Sequence, residues 1–83
     1  MRDIRTVVRE FILAECLPGE APDHLKDDAA LRAKGILDSM MMLALVHELE
    51  AASGIAIEAH ELDDGNFDSV NAIVAFVERR RAG

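Results

Sequence analysis

Apolar residues near the N-terminus recur at the i, i+3, i+4, i+7, i+8 spacing, which places side chains on one stripe of a helix. The members of this stripe are Ile4, Val7, Val8, Phe11 and Ile12. The pattern predicts an amphipathic first helix of about four turns. Pro18-Gly19 then ends it, because proline cannot continue a helix and glycine readily turns the chain.

Helical periodicity returns in residues 39–52, which predict a second long helix. Successive side chains turn by about 100° around its axis. The stripe expected to face the core consists of Met42, Leu45, Val46 and Leu49. The opposite face is expected to hold Met40, Ala44, His47 and Ala51, flanked by Met41 and Glu48. An outward face this apolar favours partner binding, since methionine is overused at adaptable binding surfaces, although a small protein also tolerates exposed Met and Ala.

No sustained period connects the two helices, so residues 17–37 are predicted to form a long loop. Loops of this length are uncommon in compact domains unless they have a role. Residues 28–32 predict one turn of helix. Four apolar side chains are spaced so that they can hold the loop on the core: Leu25, Leu31, Ile36 and Leu37.

The C-terminal part predicts one short and one longer helix. Gly54 is expected to end the second helix, residues 55–57 to be extended, and residues 60–65 to form the short helix. Residues 69–80 predict the last helix, with Phe67 at its start and a stripe consisting of Val70, Ile73, Val74 and Val77. The fold class is therefore all-α, a bundle of three main helices and one short helix.

Length and charge limit the possible functions. The 83 residues predict a single domain over 1–83, with little room for an enclosed active site, so we do not expect an enzyme. The formal net charge of −7 repels nucleic acid and anionic membranes and favours basic protein partners. The one basic cluster, Arg79-Arg80-Arg81, complements the negative end of the last helix dipole. We expect a monomer.

The single cysteine, Cys16, excludes an intramolecular disulfide and fits a reducing compartment. The N-terminal apolar residues are split by Arg9-Glu10, so no signal-peptide core is predicted there, and no apolar run approaches the about 20 residues of a membrane span. We therefore expect a cytoplasmic protein. Cys16 ends an apolar helix without a neighbouring histidine, which predicts a partly buried structural thiol.

The dipeptide Asp38-Ser39 stands at the start of the second predicted helix. Asp38 is a good N-cap, and Ser39 then lies in the first turn with its hydroxyl exposed. The free N–H groups and the helix dipole favour an anion there, such as a phosphate ester on Ser39. An ordinary helix cap is the alternative, since Asp68-Ser69 opens the last helix with the same dipeptide.

Ser39 is a poor candidate for a catalytic nucleophile. Such a serine needs a base within hydrogen-bonding distance, and His47 lies about 12 Å further along the same helix. His24 and His60 lie in loops. The three histidines also lack metal-ligand spacing, so no metal site is predicted.

In this order of elements the chain resembles an acyl carrier protein along nearly its whole length. The matching stretches are Asp38-Ser39-Met40 at the family's Asp-Ser-Leu motif, Glu48-Leu49-Glu50 before Gly54-Ile55, and Asn66-Phe67-Asp68-Ser69-Val70 followed by Ile73 and Phe76. The resemblance implies that Ser39 receives a 4'-phosphopantetheine arm through a phosphodiester. It also implies that Ser69 caps the last helix.

Carriage rather than catalysis is what the resemblance implies. A phosphopantetheinyl transferase would attach the arm from coenzyme A, and acyl ligases, ketosynthases or acyltransferases would then recognise the second helix. The implied partner-binding residues are Met40, Met41, Ala44, His47 and Glu48. Asp38 would assist recognition or metal-supported transfer rather than act as a base, because a solvated aspartate is a weak proton acceptor at neutral pH.

The chain departs from carriers of primary fatty-acid synthesis at two positions. Those carriers usually have acidic residues two and five positions after the serine, where this chain has Met41 and Ala44. The interpretation is a specialised carrier for a fatty-acid, lipid or polyketide-type pathway. Two alternatives stay open: a peptidyl or aminoacyl carrier, and a helical adaptor that never receives the arm.

Overall fold

A computed structural model describes residues 3–63 and 65–82 and is helical throughout its regular parts. The elements in chain order are α1 (Ile4–Phe11), a π-helical turn (Ile12–Cys16), a 3₁₀ helix (Pro22–His24), α2 (Ser39–Ser53), a second 3₁₀ helix (Ala59–Leu62) and α3 (Val70–Ala82). No strand occurs within the described ranges. The all-α prediction is confirmed, and the 3₁₀ helix at residues 22–24 is an addition to it.

The first helix has the predicted extent but changes its hydrogen-bond pattern near its end. The Asp3 carboxylate caps α1 by accepting from the Thr6 amide at 3.0 Å. At the other end the Leu17 amide donates to the Ile12 carbonyl at 2.9 Å, five residues back. Leu17 precedes Pro18, which disfavours the α conformation there, and its φ of −131° takes the chain out of the helix.

One hydrophobic core joins the three main helices, and α1 packs against both α2 and α3. The core-facing stripes predicted for α1 and α3 are confirmed, since all their members are buried except Phe11, which is half-buried. Phe67 and Phe76 pack with their ring centroids 5.7 Å apart, a tilted arrangement that suits the charge distribution of aromatic rings.

The long connection before α2 is held on the core by its leucines, as predicted. Leu25, Leu31 and Leu37 are buried, and Ile36 is half-buried. The helical turn predicted at residues 28–32 is wrong in position, because the hydrogen-bonded turn lies at residues 31–35. Gly35 ends this turn with a φ of 73°, a left-handed conformation that glycine adopts without steric cost.

An ion-pair cluster holds the same connection to α1. The Asp27 carboxylate accepts from Arg5 and from Arg9, both at 2.6 Å. Arg9 also donates to the backbone carbonyls of Leu25 at 2.8 Å and Pro22 at 2.9 Å. Partial burial opposes ionisation of Asp27, but the hydrogen bonds and positive charges of the two arginines outweigh it and hold its pKa below the ordinary value.

The connection between α2 and α3 is fixed by polar contacts. Gly54 ends α2 in the left-handed conformation, as predicted, and the segment after it is extended. Arg80 donates to the Glu61 carboxylate at 2.7 Å, so this arginine does more than complement a helix dipole. The short helix predicted at residues 60–65 is a 3₁₀ helix at Ala59–Leu62 instead; Asp64 of the predicted range lies outside the described residues.

The Asp27 cluster predicts a pH-dependent stability difference. Asp27→Asn should lower the free energy of unfolding by about 1 kcal/mol at neutral pH, because partly exposed ion pairs contribute modestly. The folded-state pKa of Asp27 is lowered, so this contribution is complete above the unfolded-state pKa and is lost as the pH falls through the folded-state value. Urea unfolding over a pH series measures the difference.

Asp28→Asn is the matched control. This substitution removes the same charge from the neighbouring position, where the side chain is exposed. A difference between wild type and Asp27→Asn that stays as large in acid as at neutral pH would contradict the ion-pair account.

Candidate functional site

Asp38 and Ser39 form the start of α2 in the predicted way. Asp38 is the N-cap, with an extended backbone, and its carboxylate accepts from the Met41 amide at 2.9 Å. Its backbone carbonyl accepts from the Met42 amide at 2.8 Å, the first bond of the helix. Ser39 is the first helical residue and is exposed. The local rule for Asp at an N-cap therefore decides which way the serine faces.

The hydroxyl groups of the three serines differ in what they bind. The Ser69 hydroxyl accepts from the Ala72 amide at 3.0 Å, which confirms Ser69 as the cap of α3. The Ser53 hydroxyl donates to the Leu49 carbonyl. The Ser39 hydroxyl makes no hydrogen bond to any residue in ranges 3–63 and 65–82. Ser39 is thus the serine whose oxygen is free to be modified without breaking a helix end.

The surroundings of Ser39 suit a phosphate ester rather than a nucleophile. No acceptor in the described part of the chain binds the backbone amides of Ser39 and Met40, and such amides at a helix start favour an anion.

The nearby thiol of Cys16 is half-buried, as expected. Burial raises the pKa of Cys16, and the negative charges of Asp38 and Glu15 raise it further, so the thiol stays protonated.

The exposed face of α2 begins beside Ser39 and is apolar in its first two turns. Met40 is 77% exposed and Leu43 is 64% exposed, and these are the large hydrophobic side chains that the surface presents within the described residues. His47 and Glu48 are exposed further along the helix, as predicted. Met40, Leu43 and His47 together are called the α2 face below.

Two predictions for this helix need correction, and one exposed residue was missed. Met41 was expected beside the outward face, but it is half-buried against the core, because it lies four residues before buried Leu45 on the same side. Ala44 is also half-buried. Leu43 was assigned to neither face, although its spacing of four from Ser39 and three from Met40 places it on the exposed side.

Comparison with known proteins gives the family. The sequence profile described as "Phosphopantetheine attachment site" matches residues 4–77. The chain belongs to the phosphopantetheine-binding acyl carrier protein family. It is 37% identical over 71 residues to a D-alanyl carrier protein of Lactococcus lactis subsp. lactis, covering 86% of this chain and 90% of that protein. A D-alanyl carrier protein of Lactococcus lactis subsp. cremoris is 38% identical over 70 residues, covering 84% and 89%.

Family membership decides the general role of the chain. It is a carrier protein and not an enzyme, and its cofactor is covalent 4'-phosphopantetheine. The free, exposed Ser39 hydroxyl fits the attachment of that group. Carrier proteins work with phosphopantetheinyl transferases and ligases. The adaptor alternative, which lacks the arm, does not fit this family.

No solved structure matches the chain significantly. No helix in the described ranges is long and apolar enough to cross a membrane. Those ranges also hold no cluster of His, Cys, Asp and Glu side chains with the arrangement of a metal site.

The hydrogen bonds of the two Asp-Ser dipeptides predict that removing each hydroxyl changes the free energy of unfolding by a different amount. Ser69→Ala should lower the free energy of unfolding by about 1 kcal/mol, because the cap of α3 is lost. Ser39→Ala should change it by less than about 0.5 kcal/mol, because no hydrogen bond is lost and alanine favours a helix. Urea denaturation followed by circular dichroism measures both values. Equal losses in the two variants would show that the Ser39 hydroxyl does cap α2.

Proposed function

We propose that Ser39 is the attachment residue and that the arm it holds carries an aminoacyl group. The observation that carries the first part is the contrast among the serines: the hydroxyls of Ser53 and Ser69 are bound to backbone, whereas that of Ser39 is exposed and unbound. The position of Ser39 after Asp38, at the start of a long helix, is also that of the family motif.

Each residue at the start of α2 has a distinct part in this proposal. Ser39 supplies the oxygen that attacks the phosphorus atom next to the pantetheine arm of coenzyme A. The new P–O bond completes the phosphodiester, the pyrophosphate bond breaks, adenosine 3',5'-bisphosphate leaves, and the hydroxyl proton is released. Asp38 holds the first turn by capping the Met41 amide, so a transferase meets a serine of fixed orientation. The free amides of Ser39 and Met40 favour the negative charge of the ester. When attached, the arm supplies a thiol that holds the cargo as a thioester.

An amino acid, D-alanine in particular, is the cargo that the relatives support. Both relatives are D-alanyl carrier proteins, and the alignment covers most of each chain. The expectation of a fatty-acid or polyketide cargo has no such support, so the aminoacyl alternative fits better. The absence of acidic residues at positions 41 and 44 agrees with a carrier outside primary fatty-acid synthesis.

The α2 face is the surface on which we propose that partners bind. Met40 and Leu43 lie within one turn of Ser39, so an enzyme reaching the arm covers them. Exposed apolar side chains at the centre of an interface contribute most to residence time, and charged residues at its rim contribute to the association rate. We assign Glu48, which is exposed, to that rim. Met41 is withdrawn from this surface, because it packs against the core.

Attachment is tested by intact mass after incubation with coenzyme A and a transferase of broad specificity. Wild type, Ser53→Ala and Ser69→Ala should each gain one phosphopantetheine group, and Ser39→Ala should gain none. Each variant keeps the other two serines, so the three variants serve as controls for one another. Modification of Ser39→Ala, or none in wild type, overturns the proposal.

The α2 face is tested by loading. Leu43→Ala should raise the KM of a ligase that charges the Lactococcus lactis D-alanyl carrier protein by about fivefold or more, since a buried interface anchor is worth more than about 1 kcal/mol. Leu43→Met keeps the apolar surface and should load like wild type. The fold should not change, because Leu43 is largely exposed and alanine favours a helix.

Two results would contradict this part of the proposal. A KM unchanged in Leu43→Ala would remove Leu43 from the interface. Loading of the wild type by a fatty-acyl ligase but not by the D-alanyl ligase would overturn the aminoacyl assignment and leave attachment at Ser39 intact.

A further inference from the structure

The second Asp-Ser dipeptide has a structural contact that capping does not explain. The backbone carbonyl of Asp68 accepts from the Leu31 amide at 2.8 Å, and the Asn71 amide donates to the Asp27 carbonyl at 2.9 Å. Two backbone groups at the start of α3 thus bind the connection that leads to Ser39. Both bonds join residues that lie about forty positions apart in the chain, so they depend on the tertiary fold.

Asp27 lies where α1, the connection and α3 meet. Its carboxylate accepts from Arg5 and Arg9, each at 2.6 Å, and Arg5 donates at 2.8 Å to the Asn71 side-chain oxygen as well. Arg5 therefore bridges Asp27 and Asn71, while the backbone of these two residues is joined directly. The cluster closes a ring of contacts around one point of the connection, and charge-assisted bonds of this length are the stronger kind.

Leu31 transmits this position to the start of α2. Its amide is bound to Asp68, and its carbonyl accepts from the amides of Ile36 at 2.9 Å and Leu37 at 3.0 Å. Its side chain is fully buried. Leu37 is followed at once by the Asp38 cap and Ser39. A short series of backbone hydrogen bonds therefore leads from the start of α3, through Leu31, to the residue before the cap.

We propose that the start of α3 positions Ser39 for the transferase, through Leu31 and an ion-pair cluster at Asp27. The positioning residues are Arg5, Arg9, Asp27 and Asn71. None of them has a hydrogen bond or ion pair with Asp38 or Ser39 within the described ranges. They hold the connection in the one arrangement in which Asp38 and Ser39 face outward together, and losing them lowers the fraction of molecules in that arrangement. This inference rests on the proposed attachment at Ser39.

A smaller fraction of correctly positioned carrier molecules should change the transferase KM and not its kcat. When only a fraction of a protein is competent to bind, the apparent affinity falls by that fraction, and the bound complex then reacts normally. Asp27→Asn should therefore raise the transferase KM for the carrier measurably, by at most about fivefold, while kcat stays within about twofold. Fivefold is the limit because the competent fraction cannot fall by more than the factor by which losing two partly exposed ion pairs shifts the equilibrium. Asn71→Ala removes only the Arg5 acceptor and should give a smaller change in the same direction.

Two control variants separate positioning from ordinary destabilisation. Glu61→Gln removes the ion pair of 2.7 Å between Glu61 and Arg80 in the connection after α2. Like Asp27→Asn it costs an ion pair, but at a different place in the fold. Asp28→Asn removes one negative charge beside Asp27 without touching either arginine. Both controls should keep the wild-type KM. A second readout that does not involve the arm is the set of amide chemical shifts at Ile36, Leu37 and Ser39.

Positioning is supported if Asp27→Asn raises KM and moves these three amide resonances, while Glu61→Gln and Asp28→Asn do neither. It is overturned if Asp27→Asn leaves KM unchanged, or if Glu61→Gln raises KM equally, since the role would then be general stability. Should wild-type Ser39 accept no arm, attachment at Ser39 is overturned, and the amide shifts alone decide the positioning claim: resonances that move only around Asp27 would reject it.

Discussion

Leu31 is the residue at which the connection, the core and the start of α3 meet. Its side chain is fully buried, its amide is bound to the start of α3, and its carbonyl receives the amides of Ile36 and Leu37. A buried backbone group without a partner costs as much as a lost hydrogen bond, so these contacts are a requirement where the connection packs into the core. Because Leu31 satisfies them, residues 17–38, which form no helix except the 3₁₀ helix Pro22–His24, can lead from the first helical segment to a helix start that faces solvent.

The two helix starts use the same dipeptide in different ways. Both carry Asp-Ser, but in α3 the serine caps and the preceding Asp68 carbonyl holds the connection, whereas in α2 the aspartate caps and the serine is left free. The capping residue is therefore the first member of the dipeptide in α2 and the second member in α3. That shift releases one hydroxyl on the surface of a carrier protein, and the exposed Met40 and Leu43 stand beside it.

The features that could be predicted from the sequence are those that depend on local rules. The stripes of α1 and α3, the cap at Asp38, the end of α2 at Gly54 and the burial of the connecting leucines all follow from periodicity, capping preference and hydrophobicity. The ion pairs of Asp27 could not be predicted, because Arg5 and Arg9 lie about twenty positions away and meet it only in the fold. Met41 was misjudged and Leu43 was assigned to no face. Residues 40–46 of α2 are all apolar, so a helical wheel leaves the boundary of the core undetermined there.

The most direct test of the central claim, that Ser39 alone carries the arm, uses the protein isolated from its own cells. Cleavage after glutamate separates the three serines into fragments 21–48, 51–58 and 62–78, whereas cleavage at Lys and Arg would leave all three in one fragment, 35–79. Mass spectrometry should find phosphopantetheine on fragment 21–48 and nowhere else. Finding it on fragment 62–78, or on none of the three, would contradict the account.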